Sequence, residues 1–195
     1  CEKRRKYHLK LLNKTRSQSK LPIIIEHSKK NNNFAHNFIQ IGQGSLGGKA
    51  RGLAFANSLI SKNNFNNKFQ NTTIRIPKII AIATNEFDFF MDSNNLWEIA
   101  IKNHSNKQIL DKFLKATLHK TLIHNLDKVI KNIHYPLAVR SSSLLEDSQY
   151  QPLAGMYSTF MLPNSHKDIK ERLNQLCEAI KRVYASTFFK GPKSL

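Results

Sequence analysis

A mixed fold, of the α+β or α/β class, is predicted for this chain by three observations. Short apolar runs such as Phe38 to Ile41, Ile76 to Ala83 and Leu137 to Arg140 have the composition of strands. Longer segments, above all Ser105 to Ile133, repeat apolar residues at three- and four-residue steps, as amphipathic helices do. The two kinds of segment alternate along the chain, so helices are expected to pack on sheet.

The elements follow in order. Residues 1–37 read as a basic N-terminal extension or linker, with a thin apolar stripe at Tyr7, Leu9, Leu11 and Leu12 and a short strand candidate at Pro22 to Ile25. Residues 38–195 read as the folded domain. Phe38 to Ile41 leads into the glycine cluster Gly42-Gln-Gly-Ser-Leu-Gly-Gly-Lys49, and Lys49 to Ile60 has helical composition, offering Leu53, Ala54, Ala56 and Leu59 to a core. Asn63 to Thr73 is an asparagine-rich loop. The strand Ile76 to Ala83 carries Pro77 near its start, where a missing donor does least harm. Thr84 or Asn85 is placed to cap a helix bearing Phe87, Phe90 and Met91. The period from Ser105 to Ile133 predicts one long helix, which Pro136 ends. Leu137 to Arg140 and Tyr157 to Leu162 are strands, and Ser165 is expected to cap a last helix carrying Ile169, Leu173, Leu176, Ile180, Val183 and Tyr184.

Composition narrows the function classes. The chain has 195 residues, enough for one domain or one and a half, and can bury ~70% of its unfolded surface. Its 40% apolar and 23% charged residues are ordinary for a globular protein. No apolar run approaches the ~20 residues of a membrane-spanning helix, so no membrane partner is expected. Cys1 and Cys177 have neither disulfide nor zinc spacing, which fits a reducing cytoplasm. The chain opens on cysteine without a signal pattern and is expected to be internal to a longer protein, with a lipidated cysteine as the alternative. The net charge of +18 suggests a polyanion, but lysine, asparagine, isoleucine and phenylalanine are abundant together, as AT-rich codons produce. A solvated basic surface is therefore expected in place of a specific nucleic-acid footprint.

Two segments carry chemistry. In the first, Gly47, Gly48 and Lys49 stand at a helix start, where glycines admit close backbone approach, the helix end adds partial positive charge and the lysine adds a full one. The competing reading is a glycine turn that merely caps a helix. Gly42, Gly44 and Gly47 match the dinucleotide spacing, yet no acid lies between Glu26 and Glu86, so a Rossmann site is not expected. Gln43 and Ala50 depart from the Walker A pattern. In the second segment, Val139-Arg-Ser-Ser-Ser143 delivers Arg140 into a row of hydroxyls. A buried strand should force Arg140 onto an anion, either phosphate or the carboxylates of Glu146 and Asp147. Ser141 and Ser142 suit hydrogen-bond donation, since nothing nearby activates them as nucleophiles. The eight histidines show no metal spacing; His119 and His124 read as surface residues.

Gly47-Gly-Lys49, Pro77 with its strand, Val139-Arg-Ser-Ser142, Glu146-Asp147, Ala154-Gly155 and Ala179 to Ser186 together resemble, in order and spacing, the nucleotide-binding domain of phosphoenolpyruvate synthase and pyruvate phosphate dikinase. The resemblance covers roughly residues 38 to 190. It implies the N-terminal part of an ATP-grasp-like domain, with Lys49 and Arg140 on the ATP phosphates as catalytic residues. It extends the nucleotide site to Gly47, Gly48, Ser141, Ser142, Glu146, Asp147 and Gly155, with the loop from Leu144 to Gly155 closing over it. In that family ATP gives its β-phosphoryl group to a histidine on a separate domain, and a third domain passes it to pyruvate; Mg2+ is required. The expected partners are thus ATP and the phosphohistidine and pyruvate-binding domains of a parent chain. The metal ligands and the second half of the ATP domain are expected outside this chain, which by itself should be inactive. Gly191-Pro192 stands where the family continues its helix with an arginine, so that helix is expected to end there. The alternatives are a non-catalytic ATP-sensing domain and a basic nucleic-acid-binding module.

If the charge is only a solvated surface, binding to duplex DNA or RNA will be weak, indifferent to sequence and lost steeply with salt. Filter binding or fluorescence anisotropy across a salt series checks this. A tight complex with one preferred sequence at physiological salt would contradict it.

Overall fold

The computed structural model of the chain describes residues 38–63, 71–72, 74–144 and 155–193. The expected extension over residues 1–37, most of the asparagine-rich loop, and Glu146 and Asp147 lie outside them. In chain order the elements are β1 (Phe38–Ile41), α1 (Gly47–Lys62), β2 (Ile79–Ile82), α2 (Thr84–Ser93), α3 (Trp97–Ile101), α4 (Asn106–Lys115), α5 (Lys120–Asn132), β3 (Leu137–Val139), β4 (Phe160–Leu162), α6 (Ile169–Ser186) and α7 (Lys190–Lys193). The class is α+β. Among the described residues no helix is long and apolar enough to cross a membrane.

β1 and β2 pair in parallel, from Phe38 opposite Ile79 to Ile41 opposite Ile82, with α1 as their crossover. β3 and β4 pair antiparallel, Leu137 opposite Leu162 and Val139 opposite Phe160. The main core lies among α2, α4, α5 and α6, where Phe90, Met91, Ile109, Phe113, Leu122 and Ile130 are fully buried. An aromatic cluster ties the layers: Phe87 meets Tyr184 edge-on at 4.9 Å, and Phe113 meets Phe188 at 5.8 Å. α1 belongs to a smaller cluster of Leu46, Ala50, Ala81 and Ala83 against the parallel strands.

Several elements differ from the sequence expectations, each for a local reason. Ser105 to Ile133 is two helices, α4 and α5, separated at Ala116 to His119. The side chain of Asn94 supplies the break, donating to the Thr117 carbonyl at 3.0 Å and accepting from the Thr117 amide at 2.9 Å. Ala116 and Leu118 are buried on either side, so the apolar period runs through the break unchanged. α2 is capped at Ala83 without a side-chain bond, because Thr84 and Asn85 spend their oxygens on the glycine segment. α6 starts later than expected: Asp168, not Ser165, accepts from the Lys170 amide at 2.9 Å. β4 is only Phe160–Leu162, and Gly191-Pro192 does not end the last long helix, since α6 stops at Ser186 and both residues lie in the one-turn helix α7.

α1 also departs from expectation. Leu53 and Leu59 are each 40% exposed and Phe55 is 53% exposed, and the buried positions among its described side chains are Gly47 and Ala50. A pair of strands ~5 Å apart is far narrower than the length of a helix rising ~1.5 Å per residue, so only the first turn of α1 finds cover.

The entry to β3 is fixed by a buried cation. Arg172, on α6, donates to the Ile130 carbonyl at 3.0 Å and reaches the Ile133 and Asn164 carbonyls at 3.4 Å. No described acid pairs with it; the carbonyls at the negative end of α5 take that place. Asn164, in the left-handed region at φ 54°, donates to the Ile133 and Tyr135 carbonyls. These bonds hold the turn that delivers Pro136 into the strand.

Tyr184 has a hydroxyl that is shut away from solvent without a hydrogen-bond partner among the described residues, and burial, with Glu86 and Asp88 adding to it, pushes its pKa well up. The unfolded chain releases that proton near pH ~10, so the folded state loses stability as pH rises above ~10. Tyr184→Phe should therefore raise stability by about 1 kcal/mol at neutral pH and reduce the alkaline loss. Urea unfolding at neutral and alkaline pH measures both; an equal or steeper loss in the variant would contradict it.

Candidate functional site

The glycine segment between β1 and α1 is bonded down on both sides. On one side it lies on the first turn of α2. The Gln43 amide donates to Asn85 Oδ1 at 2.7 Å and the Ser45 amide to Thr84 Oγ1 at 3.1 Å. In return the Thr84 amide donates to the Ser45 carbonyl at 3.0 Å and the Asn85 amide to the Gln43 carbonyl at 3.2 Å. Gly44, at φ 104°, leaves no room for a side chain, because a Cβ there would stand 2.7 Å from Thr84 Oγ1.

On the other side the segment meets the end of β3. The Gly48 amide donates to the Ser142 carbonyl at 2.9 Å, and the Ala50 amide donates to Ser142 Oγ at 2.9 Å. Ser142 Oγ in turn donates to the Leu46 carbonyl at 2.7 Å. Leu46 gives α1 no side-chain cap of its own, and the first turn of α1 has no acid. Ser142 therefore caps α1 from across the fold. Gly47, at φ 74°, permits the contact: a Cβ on it would overlap the Ser142 carbonyl.

Gly47, Gly48 and Ser142 are thus in direct contact. Lys49, half-buried, follows Gly48 in the first turn of α1, and Arg140 precedes Ser142 by two residues at the exposed end of β3. Arg140 is not the buried arginine that the sequence suggested, because β3 is itself only partly covered: Leu137 and Val139 are half-buried and Ala138 is exposed. No ion pair joins Arg140 to a described acid. Ser141 is half-buried beside it. Gly155, at φ 76°, is exposed with open space where a side chain would go, and it is not drawn into the junction. Among the described residues no group of three or more His, Cys, Asp or Glu could hold a metal ion.

Sequence reasoning missed the residues that hold the segment in place. Asn85 and Thr84 were legible only as helix caps, the same chemistry directed at a different set of amides. Glu86 is buried at 6% exposure, with Oε1 lying against Gly42 and Oε2 3.5 Å from His119 Nδ1. His119 packs against Phe89 with ring centres 4.2 Å apart and planes tilted by 35°, so it is no bare surface residue.

With this junction in view, the match to known families is specific. The family model for the pyruvate phosphate dikinase AMP/ATP-binding domain matches residues 43–194. The chain belongs to that family. The matched range begins inside the glycine segment and takes in β3, β4 and α6. No curated protein and no solved structure matches the chain significantly. The family is one of kinases and dikinases, and the domain in question binds AMP or ATP.

The two kinds of glycine in this dikinase-family domain respond differently to a methyl group. Gly47→Ala should cost ~2 to 4 kcal/mol, because it imposes both a left-handed alanine and a clash with the Ser142 backbone. Gly52→Ala, in mid-helix with open space around it, should stabilise by about 0.5 to 1 kcal/mol. Chemical denaturation of both variants decides; equal effects would contradict the tight approach at Gly47.

Proposed function

We propose that this domain binds the phosphates of ATP at the junction of α1 and β3, within a phosphoenolpyruvate synthase- or pyruvate phosphate dikinase-like phosphotransferase. The observation that carries the reading is electrostatic. Lys49 sits in the first turn of α1, at the positive end of the helix, with no acid in that turn, and Arg140 lies two residues from the serine that caps the same turn. The positive end of a helix, with cationic residues on the two segments that meet there, suits an anion. A polyphosphate is the ligand that the family supplies.

In this reading Lys49 holds the charge of the phosphate chain as a mobile point, and Arg140 grips a phosphoryl group by its fork. Ser141, Gly47 and Gly48 complete the site, and the family resemblance adds Glu146, Asp147 and Gly155 to it. The β-phosphoryl group passes to a histidine nitrogen on another domain as its bond to the α-phosphate oxygen breaks, leaving AMP. The γ-phosphoryl group goes to water or phosphate, and the phosphohistidine then phosphorylates pyruvate. Magnesium accompanies ATP in such chemistry, and the family resemblance puts its ligands elsewhere in the parent chain.

Arg140→Ala in the parent protein tests the reading. If Arg140 meets charge that develops during transfer, single-turnover phosphohistidine formation should fall by ~100- to 1000-fold, with a smaller change in ATP affinity. Calorimetry and rapid quench measure the two, and circular dichroism confirms folding. A folded variant with unchanged affinity and unchanged transfer would reduce Arg140 to a structural partner of Glu146 or Asp147.

A further inference from the structure

We infer that Ser142 is a positioning residue which sets the separation of Lys49 from Arg140 and does not itself hold the nucleotide. The inference deepens the ATP-phosphate reading and rests on it. A serine hydroxyl has one proton to donate and two lone pairs to accept with. The Ser142 proton is committed to the Leu46 carbonyl at 2.7 Å, and one lone pair takes the Ala50 amide at 2.9 Å. Phosphate oxygens accept hydrogen bonds, so the hydroxyl has no proton left to give them. The Ser142 carbonyl is likewise occupied by the Gly48 amide.

Those bonds cross 92 and 96 residues of sequence on the side-chain oxygen alone. They join the two segments that bear the cations, each close by: Lys49 lies between the bonded residues Gly48 and Ala50, and Arg140 lies two residues before Ser142. A slip of Ser142 along α1 would therefore move one cation relative to the other. The glycine segment cannot take up the slip, because Thr84 and Asn85 fix its far end on α2. Close packing at Gly47 resists a slip in the opposite sense. The two anchors together make the junction a rigid bracket.

The test uses the parent protein with Ser142→Ala, Ser142→Thr and Ser142→Cys. Readouts are ATP affinity, single-turnover transfer from ATP to the histidine, and amide exchange at Ala50. Ser142→Ala should speed exchange at Ala50 and lower transfer by ~10- to 100-fold, as a misplacement of about 1 Å does, with a change in ATP affinity of less than about threefold. Ser142→Thr keeps the hydroxyl and should restore both transfer and protection. Ser142→Cys keeps the volume but weakens both bonds, should fall between them, and carries the test if the alanine variant does not fold. Faster exchange with unchanged transfer would overturn the inference alone, leaving Ser142 as a helix cap. A wild-type protein that binds no ATP would overturn the phosphate reading and this inference with it.

Discussion

The contact between Ser142 and the first turn of α1 is the constraint around which this domain is arranged. An isolated helix end must satisfy several amides, and α1 begins with leucine and paired glycines, none of which carries a capping oxygen. The cap is borrowed from a strand end more than ninety residues away. Because the borrowed oxygen also donates to Leu46, each half of the junction is specified by the other. The glycines serve this contact: Gly47 lets the Ser142 backbone approach, and Gly44 does the same for Thr84. The Gln43, Ser45, Gly48 and Ala50 amides are all taken by protein oxygens.

The remainder of the domain holds the two halves of that contact still. The parallel pair β1–β2 and the start of α2 support the glycine segment, while α6 supports β3 and β4. Arg172 and Asn164 connect the layers by occupying the carbonyls where α5 gives way to β3. Burying an arginine without an acid is costly, and the end of a helix offsets part of that cost by providing several carbonyls in one place. The Arg172 Nε finds no partner among the described residues. Ser186 plays a smaller part of the same kind, donating to the Val183 carbonyl and accepting from the Ser158 amide, so the chain leading into β4 is tied to α6.

The sequence made the element types legible and left their joints obscure. Apolar period and β-branched runs marked α4, α5, α6 and the strands, because burial acts on residues three or four apart in a helix and two apart in a strand. The break between α4 and α5 left no trace, since Asn94 creates it from 23 residues away while the apolar period continues. Thr84 and Asn85 looked like caps, and their chemistry is that of caps, but their targets are amides about forty residues upstream. Lys49 and Arg140 were legible as candidates from residue type and family resemblance. The role of Ser142 was not, since it depends on which of its lone pairs and protons are already used. Arg140 was expected to be buried because Leu-Ala-Val reads as an interior strand; it is exposed, in a sheet that has two strands among the described residues.

The most direct test of this account is the scalar coupling across the hydrogen bond from the Gly48 amide nitrogen to the Ser142 carbonyl carbon, measured by NMR on labelled protein. The account predicts a resolved coupling, together with strong exchange protection of the Gly48 amide, in the protein without nucleotide. A protected core in which this coupling is absent and the Gly48 amide exchanges freely would mean that β3 and α1 do not meet as described. The proposed phosphate site would then have no bracket to hold its cations together.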